Sequence, residues 1–145
     1  MRKILITGSR NYGLCEAVCN LFDTMTNIEY ETASRSNGYH LDTSEGQKKL
    51  AEKYIEGNFD IFINNSAIWK FQQVMVVEAV YNAMEEANRK GHIISIGSTA
   101  DTGVKGRTWR YPTEKKALKA YNRDLTYKAM GGSNIKTTLI SPGSL

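Results

Sequence analysis

The stretch Lys3-Ile4-Leu5-Ile6-Thr7-Gly8-Ser9-Arg10-Asn11-Tyr12-Gly13-Leu14-Cys15 decides how the rest of the chain is read. Lys3 to Thr7 is a short apolar run, the pattern of a buried strand, and Gly8 breaks it. From Gly13 to Thr24 apolar residues recur at Leu14, Val18, Leu21 and Phe22, which predicts a helix with one apolar stripe. A strand that turns into a helix through glycines is where an open α/β sheet binds phosphate. Backbone N–H groups and the helix dipole both favour an anion there. Gly8 permits the tight turn and Gly13 lets the backbone approach a pyrophosphate, with Ser9, Arg10, Asn11 and Leu14 completing the candidate site. An ordinary strand-to-helix turn accounts for two glycines equally well on this segment alone. No Gly-Lys-Ser/Thr follows, so a P-loop is excluded.

Working outward, apolar runs alternate with helical patterns. Ile28 to Ser34 reads as a second strand, and Tyr39 to Asp42 as a brief third one. Ser44 to Glu56 reads as a helix with Ser44 as N-cap and Leu50, Tyr54 and Ile55 inward. Asp60 to Asn64 is a strongly apolar strand, Gln73 to Lys90 a long helix stopped at Gly91, and His92 to Gly97 a further strand. Pro112 to Met130 is a helix and Lys136 to Ser141 a closing strand before Pro142-Gly143. Strands alternating with helices imply a doubly wound parallel sheet of five or six strands with helices on both faces. No linker or internal repeat divides residues 1–145, so a single Rossmann-like domain is expected.

At 145 residues, with 41% hydrophobic and 23% charged residues, the chain has the composition of one globular domain. The apolar run ending at Ile6 is too short for a secretory signal, and nothing approaches a membrane span. Cys15 and Cys19 stand four apart on one predicted helix, a spacing unsuited to a disulfide, which points to the reducing cytosol and a cytoplasmic protein. Neither His40 nor His92 has metal-ligand spacing, so no metal site is expected. The net charge is +4, with a basic run through Lys105, Arg107, Arg110, Lys115, Lys116, Lys119, Arg123 and Lys128. Such a run attracts nucleic acid or phosphorylated ligands, but a solvated helix face explains most of it, and no aromatic platform or nucleic-acid motif accompanies it.

Arg35 lies at the end of the second strand, where dinucleotide folds choose between cofactors. An acidic residue there would hold the adenosine ribose 2′-hydroxyl, whereas Arg suits a 2′-phosphate. Ser34 and Ser36 add hydroxyls beside it, and Arg10 is in a position to reach the same phosphate, so the pattern favours NADP(H). Further along, Tyr111 and Lys115 are four apart and share a face if both are helical. A lysine ammonium near a phenol lowers its pKa and makes it a usable acid or base. Ser98 follows a strand at the carboxyl edge, where ligands of open sheets bind.

Taken in order, five motifs resemble the short-chain dehydrogenase/reductase family from one end of the chain to the other. They are Thr7-Gly8 with Gly13-Leu14, Asn64-Asn65-Ser66-Ala67, Ile94-Ser95-Ile96-Gly97-Ser98, Tyr111-Pro112-Thr113-Glu114-Lys115, and Pro142-Gly143. The step from Ser98 to Tyr111 also fits the family's spacing. The resemblance implies NADPH-dependent reduction of a small-molecule carbonyl to an alcohol. Tyr111 would donate the proton, Ser98 would orient the carbonyl oxygen, and Lys115 would bond the nicotinamide ribose. Asn64, Asn65 and Ser66 would line the cofactor trough, Asp42 would approach the adenine, and Pro142 and Gly143 would flank the nicotinamide.

Against the family pattern, Cys15 stands where a third glycine is usual, and the nearest amides to the family's catalytic Asn are Gln72 and Gln73. The family's C-terminal substrate segment has no counterpart in these 145 residues. The long helix carries one apolar face at Val74, Val77, Tyr81 and Met84 and a small-residue face at Ala79, Ala83 and Ala87, from which a homodimer or homotetramer is expected. A catalytically inactive NADP(H)-binding or sensing protein is the alternative to the reductase. A nucleic-acid module ranks third, and no nucleic-acid partner is expected.

Overall fold

A computed structural model describes residues 1–66, 68, 70–98 and 110–142. β1 (Arg2–Thr7) leads into α1 (Gly13–Asp23), β2 (Ile28–Ala33) and, through a 3-10 turn at Arg35–Asn37, into α2 (Ser44–Glu56). β3 (Ile61–Asn64), α3 (Gln72–Glu86), β4 (Gly91–Ile96), α4 (Arg110–Met130) and β5 (Ile135–Ile140) follow. The five strands form one parallel sheet in the order β2-β1-β3-β4-β5. The order reverses at β1, the switch point at which ligands bind in open α/β sheets.

Alternation along the strands divides the core. Leu5, Ala33, Phe62, Ile93 and Ile135 face α2, α3 and α4, together with Tyr54, Tyr81, Val80, Met84 and Leu118. Ile4, Ile6 and Ile63 face α1 and its two cysteines. Helices therefore cover both faces. Tyr54 and Phe62 meet edge-on with ring centroids 6.2 Å apart. Each such fully buried large side chain contributes about 1.5–3 kcal/mol through area removed from water.

Four expectations change. Tyr39 to Asp42 forms no strand: a crossover of that length cannot return the chain to a parallel sheet, and the segment instead runs across the carboxyl edge into α2. The N-cap of α2 is Thr43, whose hydroxyl accepts the Gly46 N–H at 3.0 Å, with Ser44 already helical. The buried stripe of α1 is Cys15 and Cys19, with Val18 and Phe22 half-buried, while Leu21 is exposed. The α3 helix ends at Glu86 with Ala87 as its C-cap, so Gly91 opens β4 rather than stopping the helix. On the small-residue face of α3, Ala79 and Ala83 are half-buried and Ala87 is exposed. Ala79, Ala83 and Ala87 share a groove of about 590 Å³ with Ala51 and Ile55 of α2.

Candidate cofactor and active site

The turn after β1 is held by a hydroxyl at the end of that strand. Thr7 is fully buried; its Oγ1 accepts the N–H groups of Asn65 at 2.9 Å and Ser66 at 3.1 Å, and donates to the Ile63 carbonyl at 3.4 Å. This latch joins the carboxyl ends of β1 and β3. The motif Thr7-Gly8 does not by itself reveal this role, although a hydroxyl closing an apolar strand is the signal for it. Gly8 follows with φ +132°, and a Cβ there would lie 2.9 Å from Asn65 Nδ2 and 3.0 Å from Cys15 Cβ. Cys15 thus packs directly behind the turn. Gly13, at φ +59°, stands in open space. Burial pushes the Cys15 thiol up to about 12 and raises Cys19 as well, so both remain protonated packing groups.

Beside this turn lies a cavity of about 440 Å³ at the switch point, whose wall includes Gly8, Ser9, Ser34, Arg35, Asp42, Ser66, Ile68 and Lys70. Six of the predicted cofactor residues are thereby brought to one place. Tyr39, Leu41 and Ile68 supply apolar wall that the motifs did not point to. The Ser34 and Ser36 hydroxyls lie 2.7 Å apart, and the Arg35 guanidinium is exposed, 3.7 Å from the Asp42 carboxylate. An acidic group therefore does stand opposite Arg35, supplied by the segment before α2 rather than by β2.

Arg10 and Asn64 make their side-chain bonds outside this cavity wall. Arg10 faces α1 and β2: it donates to Asp23 at 2.7 Å, Asn20 at 2.9 Å and the Tyr30 hydroxyl at 3.1 Å. Those three acceptors hold the guanidinium between α1 and β2, and Arg10 is not part of the cavity wall. Asn64 is fully buried and its Nδ2 donates to the Gln73 carbonyl and to Ser95 Oγ, each at 3.3 Å, so it braces β3 against α3 and β4. The Asn65 side chain sits against Gly8, while Asn11 and Leu14 continue the turn into α1, where Asn11 donates its N–H to Ser9 Oγ at 3.4 Å.

At the other end of the carboxyl edge, α4 begins at Arg110, which puts Tyr111 in its first turn and Tyr111 and Lys115 on one face. Pro112 fits there because first-turn N–H groups have no intrahelical partner. Tyr111 is partly exposed; Lys115 is only 4% exposed, with Nζ 5.6 Å from the Tyr111 ring centre. Lys115 Nζ donates to Gln73 Oε1 at 2.8 Å and to the Ile96 carbonyl at 3.0 Å. Loss of hydration lowers its pKa to about 8, against a smaller raising effect of Glu114. Of the two amides considered, Gln73 reaches the lysine. Gln72 instead donates to the Lys70 carbonyl and accepts from Gln47. Ser98 follows β4 and Pro142 follows β5 at the same edge, while Ala67 and Gly143 lie outside the described residues. Among the described residues no group of His, Cys, Asp or Glu is arranged to hold a metal, and no helix is long and apolar enough to cross a membrane.

No family model and no curated protein matches the sequence. Solved structures do match in shape. A short-chain dehydrogenase/reductase from Burkholderia phymatum in complex with NAD superposes with a TM-score of 0.81 at 16% identity, over 99% of this chain and 66% of that one. Serine dehydrogenase from Escherichia coli gives 0.70 at 19% identity, over 97% and 82%. A putative NAD(P)-dependent gluconate 5-dehydrogenase from Beutenbergia cavernae with bound NADP gives 0.69 at 19% identity, over 98% and 72%. This chain thus spans 66–82% of the length of these structures. Over nearly its whole length, the chain has the fold of the short-chain dehydrogenases/reductases.

Proposed function

We propose that this chain is an NADP(H)-dependent oxidoreductase that reduces a small-molecule carbonyl to an alcohol, with Tyr111 as proton donor. The observation that carries the reading is Lys115, a buried cation beside Tyr111 at the carboxyl edge, on the same edge as an open cavity with a glycine cradle. The residues fit the cofactor: Gly8 leaves the space that a Cβ would fill, and Ser34 and Arg35 offer donors to a 2′-phosphate. Ser9 and Ser66 would hold the pyrophosphate side, Asp42 the adenosine side, and Pro142 and Gly143 the nicotinamide side. The nicotinamide, when bound, supplies the hydride that forms the new C–H bond.

Among the described residues Lys115 donates to Gln73 and Ile96, and an ammonium has a third N–H with which it would meet a ribose hydroxyl. Ser98 would donate to the carbonyl oxygen, and the Tyr111 hydroxyl would release its proton to that oxygen as the alcohol forms, to be reprotonated from solvent. We further propose a homodimer or homotetramer, a cytoplasmic setting consistent with the two free buried thiols, and no nucleic-acid partner. A second reading, cofactor binding without turnover, draws on one feature: Lys115 meets Tyr111 through the ring face. Tyr111→Phe decides between them. NADPH oxidation over a panel of aldehydes and ketones should fall at least a hundredfold in the variant while NADPH still binds. Binding without turnover of any carbonyl by the wild type would favour the second reading.

A further inference from the structure

Two successive residues at the entry to α3, Lys70 and Phe71, hold a left-handed backbone, each at φ +61°. A residue with a β-carbon enters that region only at a cost, and routinely so only for glycine. The corner persists because neighbouring elements pin it. The Phe71 N–H donates to Glu114 Oε1 of α4 at 3.1 Å, and the Phe71 carbonyl accepts the Val74 N–H at 3.2 Å. The Lys70 carbonyl accepts Gln72 Nε2 at 3.1 Å, and Gln72 Oε1 in turn accepts Gln47 Nε2 at 2.6 Å. Gln47, on α2 and only 6% exposed, donates from the same amide to the Leu41 carbonyl at 3.0 Å. One buried amide thus ties the Lys70 backbone, through Gln72, to the segment that precedes α2.

Backbone strain that its surroundings over-determine gathers at ligand clamps. Here the strained corner presents a cation: Lys70 is exposed and lines the cavity of about 440 Å³ that Arg35 also lines. Leu41 and Asp42, at the far end of the Gln47 relay, belong to the same wall. We propose that Lys70 is a phosphate-binding residue of this cavity, aimed into it by the left-handed corner. The role rests on the proposed function for its ligand, a nicotinamide dinucleotide, and adds a cation from the β3–α3 connection to the one that follows β2. The acceptor is a phosphate oxygen, either of the 2′-phosphate beside Arg35 or of the pyrophosphate beside Gly8 and Ser9. A lysine meets phosphate as a point charge on a flexible stem and imposes no geometry of its own. Its aim has to come from the backbone, which is where the strain lies.

Calorimetric titration of the full chain with NADPH and with NADH reads the contact, and thermal unfolding reads the strain. Lys70→Gln should weaken NADPH roughly fivefold and flatten the salt dependence of its binding, while Lys70→Arg keeps most of the affinity. A loss confined to NADPH places the ammonium on the 2′-phosphate, and an equal loss with NADH places it on the pyrophosphate; either supports the role. Lys70→Gly removes the charge and the left-handed cost together, so affinity should fall while Tm rises by about 2–4 °C. A residue that served only the fold would not move the two in opposite directions. Unchanged affinity for both nucleotides in Lys70→Gln, or a lowered Tm in Lys70→Gly, overturns the proposal. Nucleotide binding that depends on Lys70 without turnover of any carbonyl would remove the proposed reduction and leave this role standing. A wild type that binds neither nucleotide would overturn both.

Discussion

At the β1 end of the carboxyl edge, the Arg35 guanidinium is exposed and lies 3.7 Å from the Asp42 carboxylate. At the β4 end, Lys115 is buried, and its acceptors among the described residues are carbonyl oxygens. The difference separates recognition from chemistry. An exposed arginine such as Arg35 exchanges a carboxylate for a phosphate at small cost, since surface pairs contribute at most about 1 kcal/mol. A buried ammonium keeps one geometry and responds strongly to anything that changes its hydration or charge. The first arrangement suits choice among ligands, and the second suits a fixed proton and hydroxyl partner.

The β1 end should break most severely at its backbone. Gly8→Ala combines a positive φ with contacts at 2.9 and 3.0 Å, so we expect a loss of about 2–3 kcal/mol in denaturant unfolding and no cofactor binding. Gly13→Ala, with nothing within 4 Å, should lose only about 1 kcal/mol, which tests whether close approach rather than conformation sets the larger effect.

The β4 end should declare itself in pH dependence. The folded pKa of Lys115, about 8, lies below its unfolded value of 10.5. Below pH 8 both states hold the proton and the burial penalty is full; between pH 8 and 10.5 the unfolded chain holds the proton that the folded one has released. Stability from this group therefore rises with pH across that window, by at most about 3 kcal/mol. The rise should be missing in Lys115→Met. Cys15 acts oppositely: its folded pKa of about 12 exceeds the ordinary 9.0, so stability falls as pH climbs above 9. The wild-type minus Lys115→Met difference cancels that contribution.

Smaller effects distinguish the two arginines. Arg35→Ala should weaken NADPH roughly tenfold and leave NADH nearly unchanged. Arg10→Ala should change neither affinity and lower Tm only slightly, because its partners lie on α1 and β2. Equal losses from both would mean that Arg10 leaves Asp23 to reach the phosphate.

The sequence made the five strands, the four helices and the switch-point cavity legible, because apolar runs and glycine breaks report locally on burial and turns. What it could not convey was direction. Arg10 was placed near the cofactor phosphate by its position in the turn, yet Asp23 and Tyr30 arrive from α1 and β2 and draw it outward. Asn64 sat in a recognised motif, but burial turned its amide inward. The apolar spacing points to Leu14, Val18, Leu21 and Phe22 as the stripe of α1, whereas Cys15, close against Gly8, and Cys19 are its buried residues and Leu21 is exposed. Gln73 meets Lys115 across 42 positions of sequence, a pairing that only the packing of α3 against β4 and α4 creates.

Calorimetric titration of the chain with NADPH and with NADH tests cofactor binding most directly. Saturable NADPH binding, with NADH weaker by about tenfold, is the expected result. Heats of dilution alone with both nucleotides would contradict it.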